Sequence, residues 1–146
     1  MIKAYPPDYK TMAPIMILIG AVFFGVGAYL VGGKILELAD TVDAVVTVAD
    51  VEHKERRKGG FTYRPVFEIT QANGTPLRYA GDLWSYPPIH EKGEVVSGRY
   101  SPSSGMIESN KYIRHQLMFG SIFTLVGAVL FFFGIHFSRK ELQPSP

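Results

Sequence analysis

The sequence predicts a membrane protein: two transmembrane helices flanking a small all-β domain, an SH3-like or OB-like partly closed barrel. Three observations carry that class. Thr11 to Gly33, TMAPIMILIGAVFFGVGAYLVGG, runs 23 residues without a formally charged side chain. Leu117 to Ile135 is a second apolar run, 19 residues long, that ends against His136, Ser138, Arg139 and Lys140. At about 1.5 Å rise per residue, each run reaches across a hydrocarbon core of roughly 30 Å. Between them, short β-branched and aromatic segments surround Asn73-Gly74, a strong hairpin-turn signal. A chain of 146 residues has too little polar sequence left to cover two such helices in a soluble core.

The predicted boundaries are an N-terminal tail at 1–10, a first helix at 11–38, a β domain at 41–108, a second helix at 111–138 and a C-terminal tail at 139–146. Hydrophobic residues at 47% and charged residues at 19% look nearly globular only because apolar spans and a polar middle are averaged. A net charge of +2, with no extended basic stripe, argues against a nucleic-acid partner. The absence of cysteine excludes disulfides and thiolate chemistry. The first apolar run exceeds a typical signal-peptide core of about 7–15 residues and lacks a small-x-small cleavage site, so it is expected to be retained.

In the first helix Pro14 falls in the opening turns, where a missing N–H costs little. Ala21, Gly25, Ala28 and Gly32, at spacings of four, three and four, share one narrow face, and Gly120, Gly127 and Gly134 recur every seven residues in the second helix. Small faces allow close backbone approach in lipid, so these seven residues are expected to pack helix against helix, or one copy against another. Gly25→Leu should then disturb the pairing more than a change at Gly27. Tyr29, Tyr112, Phe131, Phe132 and Phe133 read as lipid or interface contacts.

After the first helix, Asp40 or Thr41 marks a break. Val42 to Val51 is rich in β-branched residues and reads as a strand buried on both sides for part of its length. His53 to Gly60, HKERRKGG, reads as a charged loop. Phe61 to Thr70 alternates as a strand, with Pro65 placing its middle at an edge or a bulge. Asn73-Gly74 returns the chain into Thr75 to Ala80. Trp84 and Tyr86, in a loop from Gly81 to Gly93, are expected to cap the open end of the β core. Glu94 to Tyr100 is the next strand, with Gly98 inviting a bulge or close backbone approach. Met106 to Glu108 forms a short last strand before Ser109-Asn110, a fair helix N-cap.

The order of these pieces resembles an uncharacterised family of mainly bacterial membrane proteins, domain of unknown function 3592. The matching segments are Ala44-Val45-Val46-Thr47-Val48, Tyr63-Arg64-Pro65-Val66-Phe67, Asn73-Gly74, Gly93-Glu94-Val95-Val96 and Arg99-Tyr100-Ser101-Pro102. Ser101 stands where the family often carries Asp. The resemblance implies the same two-span architecture and no catalytic set.

Reactive residues show no motif spacing. His53, His90, His115 and His136 fall in separate elements without ligand spacing, Asp82, Glu91 and Glu94 read as loop carboxylates, and no serine sits in a nucleophile-elbow context. No catalytic, metal or cofactor site is expected. The spans lack interior charge, which disfavours coupled transport. The expected function is therefore a membrane-anchored accessory or protein-binding module of the cell envelope. Its partners would be the lipid bilayer and another membrane or envelope protein, with a homo-oligomer as a further option. An immunity protein that neutralises a toxin and an oligomeric channel or transporter subunit are the alternatives. Trp84, Tyr86, Arg56, Arg57 and Lys58 are the expected partner surface. The expected location is the bacterial inner membrane, with termini cytoplasmic and the β domain periplasmic or extracellular, read from Lys3, Lys10, Arg139 and Lys140 in the short tails.

Overall fold

A computed structural model describes residues 9–141, and residues 1–8 and 142–146 of the expected tails lie outside the described residues. Helix α1 spans Tyr9–Leu38 and α2 spans Asn110–Glu141; between them in the chain run β1 (Val42–Glu55), β2 (Phe61–Thr70), β3 (Pro76–Ala80), β4 (Val95–Tyr100) and β5 (Ile107–Ser109). The described residues divide into two compact units, a helix pair (9–32 with 118–141) and a β module (33–117).

Both helices are long and apolar enough to cross a membrane. Most of their apolar side chains point outward: Leu18, Leu125 and Phe132 are all more than half exposed. Inside the pair the helices run antiparallel along Ala13, Gly20 and Gly27 of α1 and Gly120, Gly127 and Gly134 of α2. A β carbon at Gly20 would lie 2.5 Å from the Phe131 nitrogen and 2.8 Å from the Gly127 carbonyl oxygen. One at Gly27 would run into Thr124, and one at Gly134 would meet Ile17. As the face that packs against α2, the expected face of α1 is therefore corrected. Gly25 and Gly32 have nothing within 4 Å of an added β carbon, and Ala21 and Ala28 are exposed. At about 100° per residue, that set lies roughly 120° around the helix from Gly20 and Gly27. Ala21 and Ala28, like Gly25 and Gly32, recur at seven residues just as Gly20 and Gly27 do, so both faces fit a heptad seam and spacing alone does not select the one that meets α2.

In the β module the strands form one antiparallel sheet in the order β3-β2-β1-β4-β5. It does not close into a barrel, contrary to the sequence expectation. β5 contributes only three residues before the chain enters α2, and β3 stops at Ala80, so the two outer strands never pair. The open side is filled by side chains instead. Val46, Val48, Phe67, Ile89 and Ile107 form the core with Tyr112, whose ring meets Phe67 edge-on at 5.4 Å. Tyr112 is thus a fully buried residue of the β module, and not the lipid contact its place at a span boundary suggested. Its hydroxyl accepts the Leu83 N–H at 2.5 Å, and Gly81 leaves room for that ring.

β1 is buried on one face only, since Val45 is 73% exposed while Val46 and Val48 are sealed. Its register shifts between Val48 and Asp50, a bulge facing the Val66–Phe67 stretch of β2. Pro65 lies one step beyond, in a strand flanked on both sides. Its carbonyl accepts from Gly81 N at 2.9 Å where the β3 ladder has just ended, so the missing N–H falls beyond the last β2–β3 pair and interrupts no strand ladder. Gly98 makes the close approach: an added β carbon would lie 3.0 Å from the Ser109 Cα and 2.6 Å from a Val46 methyl. The Asn73-Gly74 turn forms with Gly74 at φ 82° and the Thr75 N–H on Asn73 Oδ1 at 2.9 Å.

Candidate partner-binding surface

The strand period persists beyond the β-branched run. β1 continues through the charged residues His53–Glu55, paired with Phe61–Tyr63, so the expected loop at 53–60 shrinks to a turn at Arg56–Gly60. Arg56 N donates to Gly60 O at 3.0 Å, and Gly59 and Gly60 supply the positive φ values that reverse the chain. The result is a two-stranded ribbon extending past the rest of the sheet, because β4 pairs with β1 only as far as Thr47 and β3 pairs with β2 only from Val66 onward.

Ser85 joins β2 at Tyr63 through two 2.9 Å backbone hydrogen bonds. That bridge sets Trp84 and Tyr86 beside the ribbon, so the expected surface residues fall along one stretch of chain pairing. They take different roles there. Trp84 is half-buried under the Arg64 guanidinium, 4.8 Å from the ring centroid, and Arg64 also pairs with Glu52 at 2.6 Å. Trp84 therefore packs on a cation rather than in the core cluster. Tyr86 is 73% exposed and caps nothing. Phe61 is 44% exposed and meets His53 edge-on at 5.5 Å. Lys54, Arg56, Arg57 and Lys58 are exposed, and among the described residues none forms an ion pair.

Two polar clusters inside the module escaped sequence reasoning. In the first, Tyr112 N–H donates to Ser109 Oγ at 2.9 Å, capping α2; Ser109 O–H reaches His90 Nε2 at 2.6 Å, and His90 Nδ1 meets Glu94 Oε2 at 2.8 Å. The serine, histidine and carboxylate stand in the order of a hydrolytic triad, but the Ser109 side chain is fully buried and committed to the helix cap. The arrangement clamps the loop carrying His90 to the start of α2. The hydrogen bond to His90 holds the Glu94 carboxyl below the usual range. A depressed carboxylate contributes stability above its ordinary value, near 4.3, and loses that contribution as pH falls through the lowered value. The gap in thermal midpoint between the parent and Glu94→Gln is therefore expected to shrink below about pH 4. A gap independent of pH would show that the carboxylate charge is not what the clamp uses.

The second cluster is ionic. Lys34 Nζ lies 2.5 Å from Glu108 Oε2 and 3.2 Å from Glu37, and Gln116 Nε2 donates to Glu108 Oε1 at 3.2 Å. Glu108 is fully buried and Lys34 nearly so. Desolvation pushes the Glu108 carboxyl up, and Lys34 opposes it. Among the described residues, no group of three or more His, Cys, Asp or Glu is placed to hold a metal ion. Asp82 accepts from the Tyr79 hydroxyl at 3.0 Å and takes no part in either cluster.

No protein-family model matches the chain, and no characterised protein matches it in sequence.

Proposed function

We propose that this chain is a non-catalytic accessory module of the bacterial inner membrane, anchored by α1 and α2, that holds another envelope protein at the end of the β1–β2 ribbon. The anchor reading is supported by two long helices whose apolar side chains mostly face outward. The termini are assigned to the cytoplasm from the basic residues of the tails, which puts the β module outside. One observation carries the binding reading. The ribbon end is the place where exposed rings, Tyr86 and Phe61, stand with four cations that form no ion pair among the described residues. Solvent-facing rings beside unpaired arginine form a composition enriched at interfaces. Buried Ser109 and His90, with partly exposed Glu94, are engaged in holding the module together.

Site-specific photo-crosslinking tests this. A benzophenone amino acid at Tyr86 in native cells is expected to give one discrete protein adduct, while the same group at Asn73, in the β2–β3 turn, gives none. Equal labelling at both positions, or no adduct at Tyr86, would overturn the proposal.

A further inference from the structure

We infer that the ribbon takes an extended acidic segment of its partner by strand addition along the outer edge of β1; this rests on the reading of the ribbon end as a binding surface. Two observations identify the occupant. The first is main-chain direction. Tyr63 spends both its N–H and its C=O on Ser85, so the opposed pair Tyr63–His53 is not mutually hydrogen-bonded, and the His53 amide and carbonyl face away from β2. By the same alternation, with Arg56 bonded to Gly60, Glu55 also faces outward. Among the described residues, no strand pairs with β1 on that side beyond Thr47, and Glu94 and Gly93 close the edge only at Val48. Val51 N–H is already capped by the Asp50 carboxylate at 3.0 Å. The open edge is therefore His53–Glu55, with free donors and acceptors that only another backbone matches in spacing.

The second observation is charge. Asp50 and Glu52, the acidic groups of β1 on the approach to the tip, are already neutralised, Asp50 by Lys92 at 3.1 Å and Glu52 by Arg64 at 2.6 Å. What remains at the tip is Lys54, Arg56, Arg57 and Lys58 against Glu55 alone. An acidic strand laid beside His53–Glu55 runs its side chains into that field, whereas a basic strand is repelled. A lipid headgroup satisfies the charge and leaves the edge amides unused, so the polypeptide is the better match.

The test uses the full chain in nanodiscs of neutral lipid and a fluorescent peptide of alternating Glu and Val, read by anisotropy. The acidic peptide is expected to bind, to weaken about tenfold or more between roughly 50 and 300 mM salt, and to be lost with Arg56→Glu/Arg57→Glu/Lys58→Glu. His53→Pro, which removes an outward N–H, is expected to weaken binding about tenfold. A Lys-Val peptide should not bind. Binding that ignores His53→Pro in a folded variant would show charge attraction without strand addition and overturn the inference. Should His53→Pro fail to fold, Glu55→Pro at the other outward residue makes the same test. No binding of the acidic peptide, with capture of anionic-lipid vesicles that the charge-reversed variant abolishes, would overturn it in favour of a lipid surface. A discrete Tyr86 adduct without peptide binding would sink this inference and leave the proposed function standing; peptide binding without an adduct would do the reverse.

Discussion

Replacing Lys34 with Met is expected to destabilise the β module by about 3–5 kcal/mol at neutral pH, because it leaves the Glu108 carboxylate buried without its counter-charge. Glu108 has no exposed surface, and Gln116 offers it a single neutral donor at 3.2 Å. Water cannot replace the lost ammonium. The sign with pH follows from the raised carboxyl. A group that holds its proton more tightly when folded stabilises the fold fully below its unfolded value and loses that contribution as pH rises through the folded value. The Lys34→Met defect should therefore be smallest in acid and grow toward neutrality. Thermal unfolding followed by Trp84 fluorescence across that range checks it. The double variant Lys34→Met/Glu108→Gln removes both charges, keeps a partner for Gln116, and is expected to recover most of the loss. A double variant as unstable as the single one would mean that Lys34 acts through packing of its stem, with the pair contributing little.

That ion pair illustrates what a linear sequence leaves out. Lys34 sits directly after the Gly32-Gly33 end of the apolar run and reads as an ordinary flank, while Glu108 reads as the end of a weak strand; only the fold brings them within 2.5 Å. Features written in local composition were legible. The two long apolar helices follow from hydropathy, β2 from its alternation, the β2–β3 turn from Asn73-Gly74, and the α2 cap from Ser109. Features set by distant partners were not. Whether the sheet closes depends on β3 meeting β5, which neither segment encodes. His53–Glu55 hid as a loop because charge masks a strand whose ladder is made by backbone. Of the candidate surface, the tip cations and Tyr86 were readable as exposed, but Trp84 was misplaced because its partner, Arg64, lies on another strand. The role of His90 was hidden because Ser109 reaches it from β5, and a glutamate four residues on in the same loop is no ligand or catalytic motif by itself.

The rotation of α1 was hidden for a related reason, and it yields the second large effect. Gly25→Leu is expected to leave the helix pair nearly unchanged, while Gly127→Leu should lower its stability by about 3 kcal/mol, the upper end for overpacked interiors. A β carbon at Gly127 would fall on the Phe24 nitrogen, 2.7 Å from the Phe24 Cα and 2.8 Å from the Gly20 carbonyl oxygen. All three are main-chain atoms of a continuous helix, so no rotamer change clears them. The helices must separate, and in lipid that forfeits the dispersion contacts that replace the hydrophobic drive. Gly27→Leu meets the Thr124 and Gly120 backbone and should behave like Gly127→Leu, reversing the ranking of Gly25 and Gly27 that spacing alone suggested. Unfolding in mixed micelles with increasing dodecyl sulfate, followed by near-ultraviolet circular dichroism of the stacked Phe23–Phe123 pair and its neighbours, reads the helix contact directly. If Gly25→Leu lost as much as Gly127→Leu, the Ala21–Gly32 face would be the one that meets a helix, and the seven-residue seam through Gly20 and Gly27 would be wrong.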